Sequence, residues 1–175
     1  VRFPEFLNEK YDANGSVTGT TLAKKFKDNG RDFFNVAGHI TFSPIEEITV
    51  QFGHDKNFIG NGYRSLILSN DATPNTFLKL NTKAWKFNYT NLYSLHTDSK
   101  GFDGNSPTRR KYSALHHFSL NFGKNLTLGI WENVIFDRQD SLETDQFEVD
   151  YFNPLIFYRA VEHGLNSSDN ILLGM

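Results

Sequence analysis

Histidines and carboxylates are the residues of this 175-residue chain that could do acid–base or metal chemistry, for it has six histidines, 20 acidic residues and no cysteine. None of the histidines stands in an HExxH or comparable ligand spacing. His116 and His117 are adjacent in an alternating segment, so they point to opposite faces and cannot chelate one ion. Without cysteine there is no thiolate zinc site, disulfide or thiol nucleophile. The carboxylates Glu132, Asp137, Asp140, Glu143 and Asp145 gather around one polar stretch. A glycosidase needs two carboxylates held at a fixed spacing across a cleft, and this cluster reads as solvated loop charge. A GxSxG elbow is absent as well. The residues point to a protein that is not an enzyme and uses neither metal nor cofactor.

A second kind of chemistry is polar recognition. The run FGHDKNFIGNGYRSLILSN, Phe52 to Asn70, crowds His54, Lys56, Asn57, Asn61, Tyr63 and Arg64 around the turn Gly60-Asn61-Gly62. A GxGxxG reading fails because the third glycine position is Ser65, and a strand, not a helix, is expected to follow. With the indoles of Trp85 and Trp131 these residues form a candidate glycan-binding set. Aromatic faces stack on sugar C–H groups, while amides and charged groups bridge hydroxyls. An ordinary inter-strand loop has the same composition. Arg64, whose planar fork makes bidentate contacts, is expected to hold a carboxylate or carbonyl.

The elements that must position these residues are strands. Tyr112, Ala114, His116, Phe118, Leu120 and Phe122 alternate with Ser113, His117, Ser119 and Asn121, with Leu115 the one misfit. After Gly123, Lys124 and Asn125 the pattern resumes in Leu126, Leu128 and Ile130. This predicts a hairpin pairing Phe122 with Leu126, Leu120 with Leu128, Phe118 with Ile130 and His116 with Glu132. On its other face Asn121 pairs with Thr127, Ser119 with Gly129 and His117 with Trp131. Ile48, Val50 and Phe52 predict a strand over 46–54, and Phe147, Val149 and Tyr151 another over 147–152.

The stretch 76–96 alternates longest. Leu78, Leu80 and Ala84 oppose Lys79, Asn81 and Lys83; then the phase slips, and the apolar set becomes Trp85, Phe87, Tyr89, Tyr93 and Leu95. A β-bulge near Ala84 in one strand on the order of 70 Å long would produce this, as would two strands with a turn at Thr90 and Asn91. Polar faces carrying Lys79, Asn81, Lys83, Asn121, Glu148 and Asp150 are expected to line an interior, with Trp85, Tyr89 and Trp131 near its rim. Short links at 43–46, 70–75, 123–125 and 153–154 alternate with long polar ones at 53–63, 97–110, 137–146 and 163–169. Outer-membrane barrels have this asymmetry of tight turns and long outer loops. The segment 1–34 reads as loop with one short helix over Thr21 to Asp28, and 35–175 as antiparallel strands.

Net charge is −2, which removes the case for nucleic acid, and no segment is long and apolar enough for a membrane helix. Aromatics make up 15% of a chain only 38% hydrophobic, a mix suited to sheets. Four Asn-x-Ser/Thr sequons, at Asn14, Asn88, Asn125 and Asn166, are discounted because Asn88 and Asn125 fall in a strand and a tight turn.

The Phe52 to Asn70 run, FLKLNTKAWKFNYTNL from Phe77 to Leu92, and FNPLIFYRAVEHGLNSSDNILLG from Phe152 to Gly174 together resemble the Wzi-type capsule-assembly barrels. Their Bacteroidetes members, including gliding-motility proteins of the RemB type, are the most similar. The resemblance implies an outer-membrane β-barrel of a Gram-negative bacterium, in contact with membrane lipids, that anchors or handles surface polysaccharide. In the gliding branch it implies instead a partner-binding or adhesion role among other outer-membrane proteins. Members of this family are much longer, and barrel chains usually end on an aromatic residue where this one has Met175. The chain therefore reads as one segment, 1–175, of a larger barrel domain. A soluble all-β carbohydrate-active enzyme is the reading from a different class.

Overall fold

The computed structural model describes residues 23–27, 30–62, 65–97, 110–136 and 170–175, and these residues are all-β, without a helix. The expected strand over 147–152 and the acidic stretch 137–146 lie outside them.

Two compact units divide the described residues. The smaller contains an antiparallel hairpin, β1 (Lys24–Phe26) with β2 (Gly30–Asp32), pairing Lys24 with Asp32 and Phe26 with Gly30. Of the span Thr21 to Asp28, where a helix is expected, the described residues 24–27 form a strand and turn instead. Eight residues are too few to repay helix nucleation without a packed face. Lys27 takes a left-handed φ of 55°, which ends any helical path. Gly30 is required opposite Phe26, because a side chain there would collide with the Phe26 carbonyl oxygen.

The larger unit is built on a seven-stranded antiparallel sheet in chain order: β3 (Gly38–Ile45), β4 (Ile48–Asp55), β5 (Asn75–Ala84), β6 (Phe87–Thr97), β7 (Arg110–Phe122), β8 (Leu126–Phe136) and β9 (Asn170–Gly174). Its outer strands are β3 and β9. Short turns at 46–47, 85–86 and 123–125 join β3 to β4, β5 to β6 and β7 to β8; between β4 and β5 lies the longer connection 56–74. Because the strands simply run up and down, the three short turns fall at one end of the sheet. Backbone hydrogen bonds tie them together, Lys83 N–H to the Glu47 carbonyl at 2.7 Å and Asn121 N–H to the Lys86 carbonyl at 3.1 Å. The short link expected at 70–75 is instead the last part of the 56–74 connection.

The β7–β8 register agrees at every position with the pairing expected from the sequence, from Phe122 opposite Leu126 to His116 opposite Glu132. Gly123, at φ 72°, supplies the left-handed turn residue. The 76–96 stretch comes out differently: neither one bulged strand nor a turn at Thr90 and Asn91, but two strands joined by the two-residue turn Trp85-Lys86. Ala84 pairs with Phe87 and Leu80 with Asn91. A two-residue turn puts the residues on either side of it, three apart in sequence, on one face. That is the origin of the phase slip. The first turn residue needs positive φ in such a hairpin, and Trp85 takes it, at 51°.

These registers sort the sheet into two faces. Leu78, Leu80, Phe87, Tyr89, Tyr93, Tyr112, Ala114, Phe118, Leu120, Phe122, Leu126, Leu128, Ile130, Val134, Phe136 and Ile171 share one. On the other lie Lys79, Asn81, Lys83, Asn88, Thr90, Ser94, Ser113, His117, Ser119, Asn121, Thr127 and Asn133, together with the apolar Phe77, Leu92, Leu115, Trp131 and Ile135. In β3 and β4, Gln51 Nε2 donates to Thr41 Oγ1 at 3.0 Å, and the Ser43 and Thr49 hydroxyls are 3.3 Å apart. Alternation then puts Ile40, Phe42, Val50 and Phe52 opposite those four. Phe52 shares a shallow cleft of about 180 Å³ with Leu78, Tyr93 and Tyr112, so the apolar face is continuous from β4 to β7. Its packed centre is Tyr93, Ala114, Val134 and Phe136, with Leu78, Leu80, Tyr112 and Ile171 against it. Burying each large side chain there contributes about 1.5–3 kcal/mol.

Candidate functional site

The connection after β4 is built around its own serine. Ile59 and Leu68 form an antiparallel bridge, with Ile59 N–H donating to the Leu68 carbonyl at 3.0 Å. Beneath it the Ser65 hydroxyl donates to the Ile59 carbonyl and accepts from the N–H groups of Ile67 at 3.1 Å and Leu68 at 3.3 Å. Gly60, at φ 126°, lies so close that a Cβ would strike Ser65 Oγ. Ser65 was not among the residues expected to matter; the signal was a serine two and three residues before the N–H groups it caps, a serine turn.

Lys56 and Asn57, two of the expected glycan-contacting residues, serve the connection itself. Lys56 Nζ donates to the Asn70 carbonyl at 3.0 Å, its N–H donates to Asp55 Oδ1 at 2.7 Å, and Asn57 is buried. Asn61 is exposed and His54 half-buried. Tyr63 and Arg64, and with them the expected arginine contact, lie outside the described residues.

The two tryptophans belong to different places. Trp85 is in the tight turn, 83% exposed, its ring edge-on to Phe87 at 5.7 Å between centroids. Lys86 Nζ sits 4.8 Å from the Trp85 centroid. Trp131 is on the polar face opposite His117, and its indole covers Gly174 of β9 so closely that any side chain at 174 would overlap the ring. Tyr89 is on the apolar face, its ring centroid 5.8 Å from that of His116. The three aromatics expected together at a rim therefore sit in a turn, on the polar face and on the apolar face. The cross-strand register decides this, because it puts Tyr89 and Trp131 on opposite faces.

The faces themselves are unusual in what they bury. Polar-face residues Thr90, Ser94, Ser113 and Ser119 are buried, and His96 Nε2 lies 2.7 Å from Ser113 Oγ. On the apolar face Ile40, Phe42, Phe52, Phe87, Phe122, Leu126, Leu128 and Ile130 are exposed. The apolar face is interrupted by His116 opposite Glu132, both buried, with Tyr89 within electrostatic reach of Glu132. Among the described residues no group of three histidines or carboxylates could hold a metal ion. No family model matches the chain, and no curated protein or solved structure matches it.

Proposed function

We propose that this chain is a segment of an outer-membrane β-barrel of a Gram-negative bacterium, a non-enzymatic protein that anchors or handles surface polysaccharide. The observation that carries the membrane part is the large exposed apolar area on one face of the sheet. A soluble sheet hides its apolar face and wets its polar one. Here eight large apolar side chains of one face meet solvent around a buried centre of Tyr93, Ala114, Val134 and Phe136, while the other face buries Thr90, Ser94, Ser113 and Ser119 among Phe77, Leu92 and Leu115. Contiguous exposed apolar surface beyond a few hundred Å² marks a membrane or partner surface. A barrel wall has this arrangement, with lipid outside and a polar lumen inside. The gathering of three tight turns at one end of the sheet supports the same reading, and the polysaccharide part rests on the resemblance to Wzi-type barrels.

Purification with and without detergent tests the membrane part: the chain should be monodisperse only in detergent, and a monodisperse detergent-free species refutes the barrel. A glycan array probed with the detergent-solubilised chain tests the rest. Binding that weakens in Asn61→Ala is expected. Detergent dependence with an empty array would favour the partner-binding, motility-type role instead.

A further inference from the structure

The Trp85-Lys86 turn breaks a local rule. Tight hairpin turns take Asn or Gly where φ is positive, because a Cβ there crowds the following carbonyl. Trp85 occupies that position at φ 51°, yet its ring is 83% exposed and its described ring contacts are the edge of Phe87 and the Lys86 ammonium. Backbone strain held without internal packing to repay it is a mark of function.

The surroundings indicate which function. Directly inboard of the turns, on the apolar face, Phe87, Phe122, Leu126, Leu128 and Ile130 are exposed and no charged residue interrupts them. On β8 this exposed band runs from Leu126 to Ile130, about 14 Å, before it reaches buried Glu132; one leaflet of hydrocarbon is about 15 Å. At the turn end Lys86 and Lys124 are exposed in their turns, Lys86 Nζ 4.8 Å from the indole centroid, with Glu46 and Glu47 on the neighbouring turn. An indole between an apolar band and a rim of lysines suits the boundary between acyl chains and headgroups. There its ring is half apolar and half wet, and flexible lysines reach phosphate oxygens.

We propose that the Trp85-Lys86 turn anchors the short-turn end of the sheet at the headgroup boundary of a phospholipid leaflet, with Lys86 and Lys124 as phosphate contacts. The inference rests on the membrane reading above and adds a depth and a lipid group to it.

The experiment uses the 175-residue chain in phosphatidylcholine vesicles containing phosphatidylglycerol. In Trp131→Phe the only indole is Trp85; its emission should be quenched more by bromine near the headgroup end of the acyl chains than by bromine near their ends. Trp85→Gly relieves the backbone and should melt at a higher temperature, yet float with vesicles less completely than the parent. Because the chain has no cysteine, Lys124→Cys offers a second, independent probe: a nitroxide there should report headgroup depth. Flotation with Trp85 unquenched, or quenched most by deep bromine, overturns the anchor and leaves the membrane reading standing. Failure of the parent chain to float overturns both. Unchanged flotation of Trp85→Gly also overturns the anchor.

Discussion

The apolar face of the sheet has two halves that share strands, register and composition but differ in what surrounds them. Toward the long connections, Tyr93, Ala114, Val134 and Phe136 are almost completely buried, and Tyr112 stacks on Phe136 at 5.7 Å between ring centroids. Toward the short turns, Phe122, Leu126, Leu128 and Ile130 are open. Between them lies the His116–Glu132 pair. Apolar side chains alone therefore do not define the core of this protein. One half is held by packing within the chain, and the other offers a surface whose solvent has to come from outside it. The buried polar pair marks where one regime gives way to the other, since such groups are tolerated only where partners satisfy them.

The sharpest way to break this comparison is to truncate one phenylalanine in each half. Phe136→Ala removes a packed ring and should cost about 3–5 kcal/mol, whereas Phe122→Ala, on the same face of the same hairpin, should cost less than half of that. Denaturant unfolding followed by circular dichroism measures both, and equal costs would mean that the halves do not differ. Next in size is a comparison of the faces at the open end. Leu128→Lys places charge on the apolar side and should lose about 2–4 kcal/mol of stability in lipid vesicles, while its chain neighbour Thr127→Lys, on the polar side, should lose much less. If both lysines are tolerated equally, the faces meet the same solvent.

Two turns sharpen the comparison further. Trp85→Gly should stabilise the isolated fold by about 1–2 kcal/mol, because glycine takes the left-handed conformation without strain. Thermal melting in detergent reads it. Gly123→Ala, at the three-residue turn, should move in the opposite direction by about 1 kcal/mol, since alanine at φ 72° brings in the strain that Trp85 already bears. A melting temperature that moves the same way in both variants would show that turn strain is not what distinguishes the two hairpins.

Much of the sheet was legible before the structure. The two faces of β7 and β8 and their pairing follow from a period of two, because successive side chains in an extended chain must point to opposite sides. Glycine at 123 localises the turn that sets the register. The β5–β6 hairpin was not legible in the same way. Trp85 carries no turn signal, and a phase slip of one residue is produced alike by a bulge and by a two-residue turn. The candidate site was legible only as composition. The sequence groups His54, Lys56, Asn57 and Asn61 along the chain; the fold buries Asn57, ties Lys56 to the Asn70 carbonyl and leaves Asn61 exposed.

Alternation, the faces of β7 and β8 and the all-β class were determined by the sequence alone, since each depends on neighbours one or two residues apart. Tertiary structure decided the place of the β5–β6 turn, the division of the apolar face into packed and open halves, and the separation of Trp85, Tyr89 and Trp131. Each of these depends on which distant strand lies alongside. Such pairings join residues far apart along the chain, which local preference cannot specify.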